Sequence, residues 1–341
     1  MSNRIVWIDY AKAIGIYLVI LAHTQTAPFV VDWISVFRMP LFFFLSGYLF
    51  SYDRNPVGMT FVKKRFRQLV IPYLCLNIIT YLFWFFISRH YGTDASLQVM
   101  WYEPVKGMLL ADGFDMIHNR PLWFLVCLFI LEVTYYYVFL PIKDNSVRFL
   151  IILVFGLLGY VNAKYIPFRL PFSIGTALIG IVFYFIGHEV RRVDFSKVST
   201  LWKTLVGFVC LAVVCWAAVY NDRVYLYINQ YGNFLIFLLA AVAGIYMMRL
   251  LCEALASVFG EQRAVGWVAR NTLAICGFHL MMFTLVKGFT TFVLRIPVSM
   301  YAGSIAVNVL LAAAGIVLCV PMVWFFNRFF PVVLGGRRKK I

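Results

Sequence analysis

The chain is 341 residues long, 63% hydrophobic and 13% charged, with 34 Phe, 20 Tyr and 9 Trp. Soluble domains run nearer to about 45–50% apolar and about 25% charged, so a water-soluble enzyme, a disordered chain and a nucleic-acid domain are all excluded. The formal charge of +16 needs no polyanionic partner, because membrane proteins gather basic residues on their cytoplasmic loops.

Apolar stretches of roughly 20 residues, the length of a helix that crosses a bilayer, recur along the chain. Ten are predicted: 7–26, 33–52, 68–88, 121–140, 147–163, 171–189, 204–220, 231–251, 267–288 and 299–327. Pro72, Pro171 and Pro321 stand where a membrane helix starts or kinks. The first stretch is interrupted by Lys12 and His23 and has no small-residue cleavage site after it, so it is read as a retained span. Seven Cys lie mostly inside apolar runs without metal-ligand spacing, which makes them small core residues and predicts no metal.

Sorting Lys and Arg by alternate sides tests the partition. One side collects Arg4, Arg54, Lys63, Lys64, Arg65, Arg67, Lys143, Arg148, Arg191, Arg192, Lys197, Lys203, Arg249, Arg263, Arg328, Arg337, Arg338, Lys339 and Lys340, nineteen in all. The other collects seven: Arg89, Lys106, Arg120, Lys164, Arg169, Arg223 and Arg295. This asymmetry predicts an all-α polytopic bundle forming a single domain over 1–341, with both termini in the cytoplasm and the segment 89–120 as an external cap. That segment carries Asp94, Glu103, Asp112, Asp115 and His118 beside Trp101 and Met108, and is expected to include an interfacial helix or re-entrant piece.

Ionisable groups inside spans are costly and tend to face a bundle interior or a wet cavity. Asp9, Lys12 and His23 form a stripe on the first span; eleven residues separate the last two, close to three turns or about 16 Å. An interfacial Asp9–Lys12 pair with a snorkelling ammonium, and a hydrogen-bonded interhelical imidazole, explain these residues equally well on generic grounds. Arg38 lies about two turns into the second span, at a depth comparable with His23, and needs a partner, a cavity or an anion there.

The order Trp7-Ile8-Asp9, Lys12-x10-His23, Phe42-Phe43-Phe44-Leu45-Ser46-Gly47, the basic run Lys63-Lys64-Arg65-Phe66-Arg67 and Pro72 resembles the acyltransferase 3 family of integral-membrane O-acyltransferases. Pro121-Leu122-Trp123-Phe124-Leu125 and Asn271-Thr272-Leu273-Ala274-Ile275-Cys276-Gly277-Phe278-His279 resemble its later landmarks, so the likeness spans the chain. It implies transfer of an acyl group, most often acetyl, from cytoplasmic acyl-CoA to a sugar hydroxyl of a cell-surface glycan or lipid-linked precursor at the inner membrane. CoA would then be a substrate, with no tightly bound cofactor, and no fused SGNH-type hydrolase domain is expected. The family's first-span motif is usually Arg-x10-His; its His matches His23, while Lys12 replaces the Arg and cannot reproduce a bidentate contact. Cys276 stands where relatives more often have an aromatic residue.

Acyl transfer to an alcohol needs a group that takes the hydroxyl proton, and imidazole suits that task near neutrality. His23 is therefore expected either as general base or as a covalent acyl carrier, with Asp9, Lys12 and Arg38 around it. Lys63, Lys64, Arg65 and Arg67, with Ser46, are assigned to the phosphates and arm of acyl-CoA, against the alternative of a lipid-touching anchor. Asp115, His118, Arg120 and Trp123 are assigned to the acceptor, with His279 lining the same cavity. Glu189 beside His188, and Arg270, remain open, and His90 reads as solvated loop. A glycan exporter without acyl transfer is the competing function, since intramembrane charge along a cavity also marks transporters.

Overall fold

The computed structural model describes residues 5–52, 57–91, 99–300 and 302–336. Arg4, Arg54, Asp94, Arg337, Arg338, Lys339 and Lys340 lie outside the described residues.

Among the described residues the chain is helical throughout, with no strand beyond an isolated bridge between Tyr225 and Gln230. The helices are α1 (Val6–Leu21), α2 (Pro28–Ser35), α3 (Arg38–Leu49), α4 (Met59–Arg65), α5 (Ile71–Phe86), α6 (Tyr102–Leu110), α7 (Trp123–Phe139) and α8 (Asn145–Tyr165). There follow α9 (Ile174–Val190), α10 (Thr200–Tyr220), α11 (Phe234–Phe259), α12 (Arg263–Arg270), α13 (Thr272–Gly288) and α14 (Ile305–Phe329). Side-chain oxygens of Asp144, Ser199, Asn233 and Ser304 cap the first turns of α8, α10, α11 and α14, satisfying amides that a helix start leaves free.

Nine segments among the described residues are long and apolar enough to cross a membrane. They correspond to the second through tenth predicted spans. The first, α1, has 16 residues and so rises only about 24 Å. It stops early because the chain tightens after Leu21: the His23 amide donates to Ile20 O at 2.9 Å, and Pro28 bars helical geometry at the residue before it. The second span is broken rather than continuous, with Val36 and Phe37 between α2 and α3 and Arg38 opening α3. In the third, the π-helical turn Phe66–Val70 joins α4 to α5, because Pro72 has no amide to offer the carbonyl one turn back. The ninth is split at Asn271, between α12 and α13.

The connections sort to two ends of the bundle. At one, which carries the basic run of α4, the Arg191 guanidinium donates to Phe50 O at 3.0 Å and the Tyr10 hydroxyl to Gly260 O at 3.1 Å. At the other, Gly303 N donates to Gln25 O at 2.7 Å, and the Arg169 guanidinium donates to Asp112 at 2.7 Å. The long connection before α7 belongs to this second end and is folded: Tyr73 hydroxyl donates to Met108 O at 2.6 Å, holding α6 over α5.

α1 is the central element, packed by α3, α11, α12, α13 and α14. α10 is peripheral: only 17% of its apolar window is buried, against 61% for the segment of α7. The closest crossing joins α3 to α9. A Cβ on Gly47 would sit 1.9 Å from Tyr184 O and one on Gly187 would sit 2.1 Å from Phe44 O. The Gly of the Phe-Phe-Phe-Leu-Ser-Gly run is thus a requirement of backbone contact, which brings α3 deep enough to carry Arg38 and Ser46 inward.

Candidate active site

A cavity of about 560 Å³ opens inside the bundle, walled by α1, α3, α7, α13 and the connection between α10 and α11. Lys12, His23, Arg38, Ser46, Arg120 and Trp123 all line it, so residues spread over more than a hundred positions converge. Tyr227, Arg223 and Cys276 line it too.

His23 sits in the turn where α1 has just ended, anchored by its own amide and by the neighbouring Thr24 hydroxyl, which donates to Leu21 O at 2.7 Å. Its ring lies 5.4 Å, centroid to centroid, from that of His279. His279 is fully buried, with Nδ1 at 3.1 Å from Ile275 O and 2.9 Å from Cys276 O. Carbonyls only accept, so Nδ1 carries the hydrogen and Nε2 keeps its lone pair; no partner for Nε2 is present among the described residues. His279 itself is not on the cavity wall but directly behind His23.

Arg38 is the first residue of α3, and Arg120 opens the short turn Arg120–Leu122 that leads into α7. Both guanidiniums therefore stand at helix starts, where the macrodipole is already positive and a cation is unfavourable. Each also has a buried nitrogen, Nη1 of Arg38 and Nε of Arg120, with no hydrogen-bond partner among the described residues. Arg120 is held in place by its neighbour: Asn119 Nδ2 donates to Gly277 O at 2.8 Å and to Thr80 Oγ1 at 3.2 Å, pinning this turn to α13 and α5. Its guanidinium lies over the Tyr227 ring at 5.9 Å. Among the described residues no Asp or Glu lines the cavity. Arg223, at the rim, is neutralised from outside it by Asp32 through two contacts, Nη2 to Oδ2 at 3.2 Å and a second through Nε.

The remaining candidates lie elsewhere. Asp9 is one turn below Lys12 but not on the wall. In the basic run, Arg65 Nε meets the buried Glu132 of α7 at 2.9 Å, and Arg67 donates to Gly336 O at 3.2 Å. Lys63 is exposed and Lys64 half-buried, while Leu69 of the following turn reaches the cavity wall. Asp115 lies 3.7 Å from Arg169, outside the cavity. His118 is buried against α5, its Nε2 at 3.1 Å from Asn77 Oδ1, and burial pushes its pKa down to about 3, so it is a neutral brace. Trp123 stands on the wall beside Arg120. Near the basic end, His188 Nδ1 meets the Tyr135 hydroxyl at 2.6 Å and Arg148 Nη1 meets Glu189 at 3.0 Å, a structural network between α7, α8 and α9. Arg270 and His90 are exposed. Among the described residues no group of three or more His, Cys, Asp or Glu could hold a metal.

Tyr227, Arg223 and Glu132 escape a reading of the sequence. The first two sit in an unremarkable loop, and Glu132 is a single acid in an apolar helix, whose partner is 67 positions away. The intramembrane-charge rule that selected Lys12 and Arg38 applies equally to Glu132.

A multi-helix membrane bundle with an internal cavity lined by imidazole and guanidinium suits a membrane transferase or a carrier. The chain matches the acyltransferase 3 family, described as an acyltransferase domain, over residues 5–326, and it belongs to that family. It is therefore a membrane acyltransferase. Searches of curated proteins and of solved structures return no match to the chain.

Proposed function

We propose that the protein transfers an acetyl group from cytoplasmic acetyl-CoA to a sugar hydroxyl of a cell-envelope glycan or its lipid-linked precursor. In this reading α1 also spans and brings the total to ten, both termini face the cytoplasm of the inner membrane, and the long-loop end faces outward. The observation that carries the proposal is the position of His23. Among the described residues it is the one imidazole on the wall, in a cavity that extends from Lys12 toward the basic end to Arg120 and Arg223 at the opposite end. With no carboxylate on the wall among the described residues, no other side chain described there is suited to take a hydroxyl proton near neutral pH.

The arm of acyl-CoA enters from the basic end, past Lys12 and Ser46, while Lys63 and Lys64 attract its phosphates. The acceptor hydroxyl approaches from the other end against Trp123. Its oxygen attacks the thioester carbonyl as His23 accepts the proton. The tetrahedral oxyanion forms in front of Arg38, whose Nη1, without a partner among the described residues, and helix-start dipole favour negative charge. Collapse breaks the carbon–sulfur bond, and the departing thiolate takes the proton from the imidazolium, leaving CoA thiol and sugar ester. The His279 ring, 5.4 Å from that of His23 between centroids, packs behind it and limits how it turns.

The test is transfer of radiolabelled acetyl from acetyl-CoA to envelope glycan by purified protein in detergent, with His23→Ala as comparison. Loss of at least about 100-fold is expected for removal of a general base; full activity in the variant refutes the role of His23. Glycan movement without acyl-CoA consumption would instead identify an exporter.

A further inference from the structure

A second, smaller hollow lies at the long-loop end, about 310 Å³ in volume, between the connections that follow α6, α8 and α10. Its wall includes Asp112, Phe114, Phe168, Arg169, Asn229 and Gln230. Tyr227 lines both this hollow and the catalytic cavity, and is therefore the partition between them. The partition is thin because Gly113 stands against it: a Cβ there would lie 2.9 Å from Tyr227 Cβ and 3.1 Å from Trp123 Cδ1.

The hollow is built at a cost that stability alone does not explain. Five non-glycine residues among those described have positive φ, and four of them belong to its surroundings: Ala111 (49°), Phe172 (59°), Ser173 (55°) and Asn229 (63°). Left-handed backbone without glycine is strained by about 1–3 kcal/mol per residue and clusters where a site must be held open. Hydrogen bonds hold this backbone in place: Ser173 Oγ donates to Ala111 O at 2.9 Å, and Asn229 Nδ2 donates to Oδ1 of the helical Asn162 at 2.7 Å. Gly175 leaves the room that Asn162 fills, since a Cβ there would meet Asn162 Oδ1 at 2.1 Å. Asn162 is 5% exposed, and its Nδ2 has no partner among the described residues.

The chemistry of the wall selects a ligand. Aromatic surface at Phe168 and Tyr227 stands beside the exposed amide of Gln230, the combination that suits the apolar C–H face and hydroxyl edge of a pyranose, while the Phe114 ring is covered by Arg169 at 4.6 Å and the Asn229 amide is held by Asn162 and Tyr231. The charges present are already paired, Arg169 with Asp112 at 2.7 Å and with Asp115 at 3.7 Å, so the wall favours a neutral group. We propose that this hollow binds a neutral sugar residue adjacent to the one being acylated, so that the acceptor is an oligosaccharide or polymer seated across Tyr227. This rests on the proposed sugar acceptor and specifies its length: the reacting residue lies in the cavity and its neighbour in the hollow.

The test uses purified protein in detergent with two readouts. Acetyl transfer from acetyl-CoA is measured to methyl glycosides of glucose, galactose, mannose, rhamnose and N-acetylglucosamine, and to their disaccharides. Binding of the same sugars is measured by saturation-transfer NMR without any donor. Two variants alter the hollow alone: Ala163→Trp, which fills it from a half-buried wall position, and Phe168→Ala with Gln230→Ala, both at exposed positions. Wild type is expected to prefer one disaccharide over its methyl glycoside by about tenfold or more in kcat/KM, and both variants to lose that preference while transferring to the methyl glycoside at the wild-type rate. An equal preference in wild type and variants, or none in wild type, overturns the inference. If no acceptor is acylated but a disaccharide binds wild type and not Ala163→Trp, acyl transfer fails and the sugar site stands; if no sugar binds wild type at millimolar concentration, the sugar site falls.

Discussion

Replacing Arg38 by Met should make the protein more stable and nearly inactive. The guanidinium opens α3, where repulsion by the helix dipole costs about 0.3–1 kcal/mol, rising toward about 2 in partly buried geometry. Its Nη1 is buried without a partner among the described residues, which adds about 1–3 kcal/mol. Methionine keeps the apolar stem against the cavity wall and removes both penalties, so a gain of about 1–3 kcal/mol is expected after allowing for overlap. The same guanidinium faces the developing oxyanion in the proposed reaction, and loss of one such donor typically lowers turnover by about 100- to 1,000-fold, or roughly 2.7–4 kcal/mol. Thermal unfolding in detergent and acetyl transfer, measured on the same preparation, check the two halves. A lower melting temperature would mean that Arg38 is satisfied within the fold, and undiminished turnover would remove it from the chemistry; either result refutes the reasoning.

Three other perturbations follow from the same geometry. Glu132→Ala removes the buried carboxylate that Arg65 meets within α7 and leaves Arg65 with Gln68 at 3.1 Å, so it should destabilise by about 3 kcal/mol, whereas Glu132→Gln, which keeps a hydrogen-bond acceptor, should cost less; thermal unfolding of the pair distinguishes them. Lys63→Glu with Lys64→Glu should weaken CoA binding by about tenfold or more at low salt, roughly 1.4 kcal/mol, with the difference shrinking as salt rises; unchanged calorimetric affinity would place the phosphates elsewhere. His118 has its pKa lowered from 6.5 to about 3 by burial, so the unfolded chain binds the extra proton between those values. The stability it supports is complete above pH 6.5 and is lost as pH falls, by about 2 kcal/mol on reaching about pH 5, and a His118→Gln variant should lose that slope in a pH series of unfolding midpoints.

Much of the candidate site was legible because charge in lipid is expensive wherever the chain folds. Lys12, His23 and Arg38 could be selected from hydropathy alone, and the cavity does contain all three. Arg120 and Trp123 also reach the wall, while Asp115 and His118, near neighbours in sequence, turn away to Arg169 and Asn77. Spacing along a loop carries no rule for which side chain points inward, unlike the fixed period of a helix. The breaks inside the second and ninth spans were hidden because hydropathy averages over a window: Phe37 and Asn271 interrupt the helices beside single charges, Arg38 and Arg270, that a span-length average absorbs.

Apolar runs of membrane length already make the chain a multi-helix membrane bundle, because they leave the backbone no other way to satisfy its amides in lipid. Its ordered motifs also pointed to the acyltransferase 3 family, to which the chain belongs. That Tyr227 and Arg223 share a wall with His23, that His279 stands behind its ring and that a second hollow adjoins the first emerge from the packing of the helices. Those relations depend on close helix crossings such as Gly47 against Tyr184 and on side chains meeting over more than a hundred positions. Local periodicity constrains which face a helix buries, but not which helix it meets.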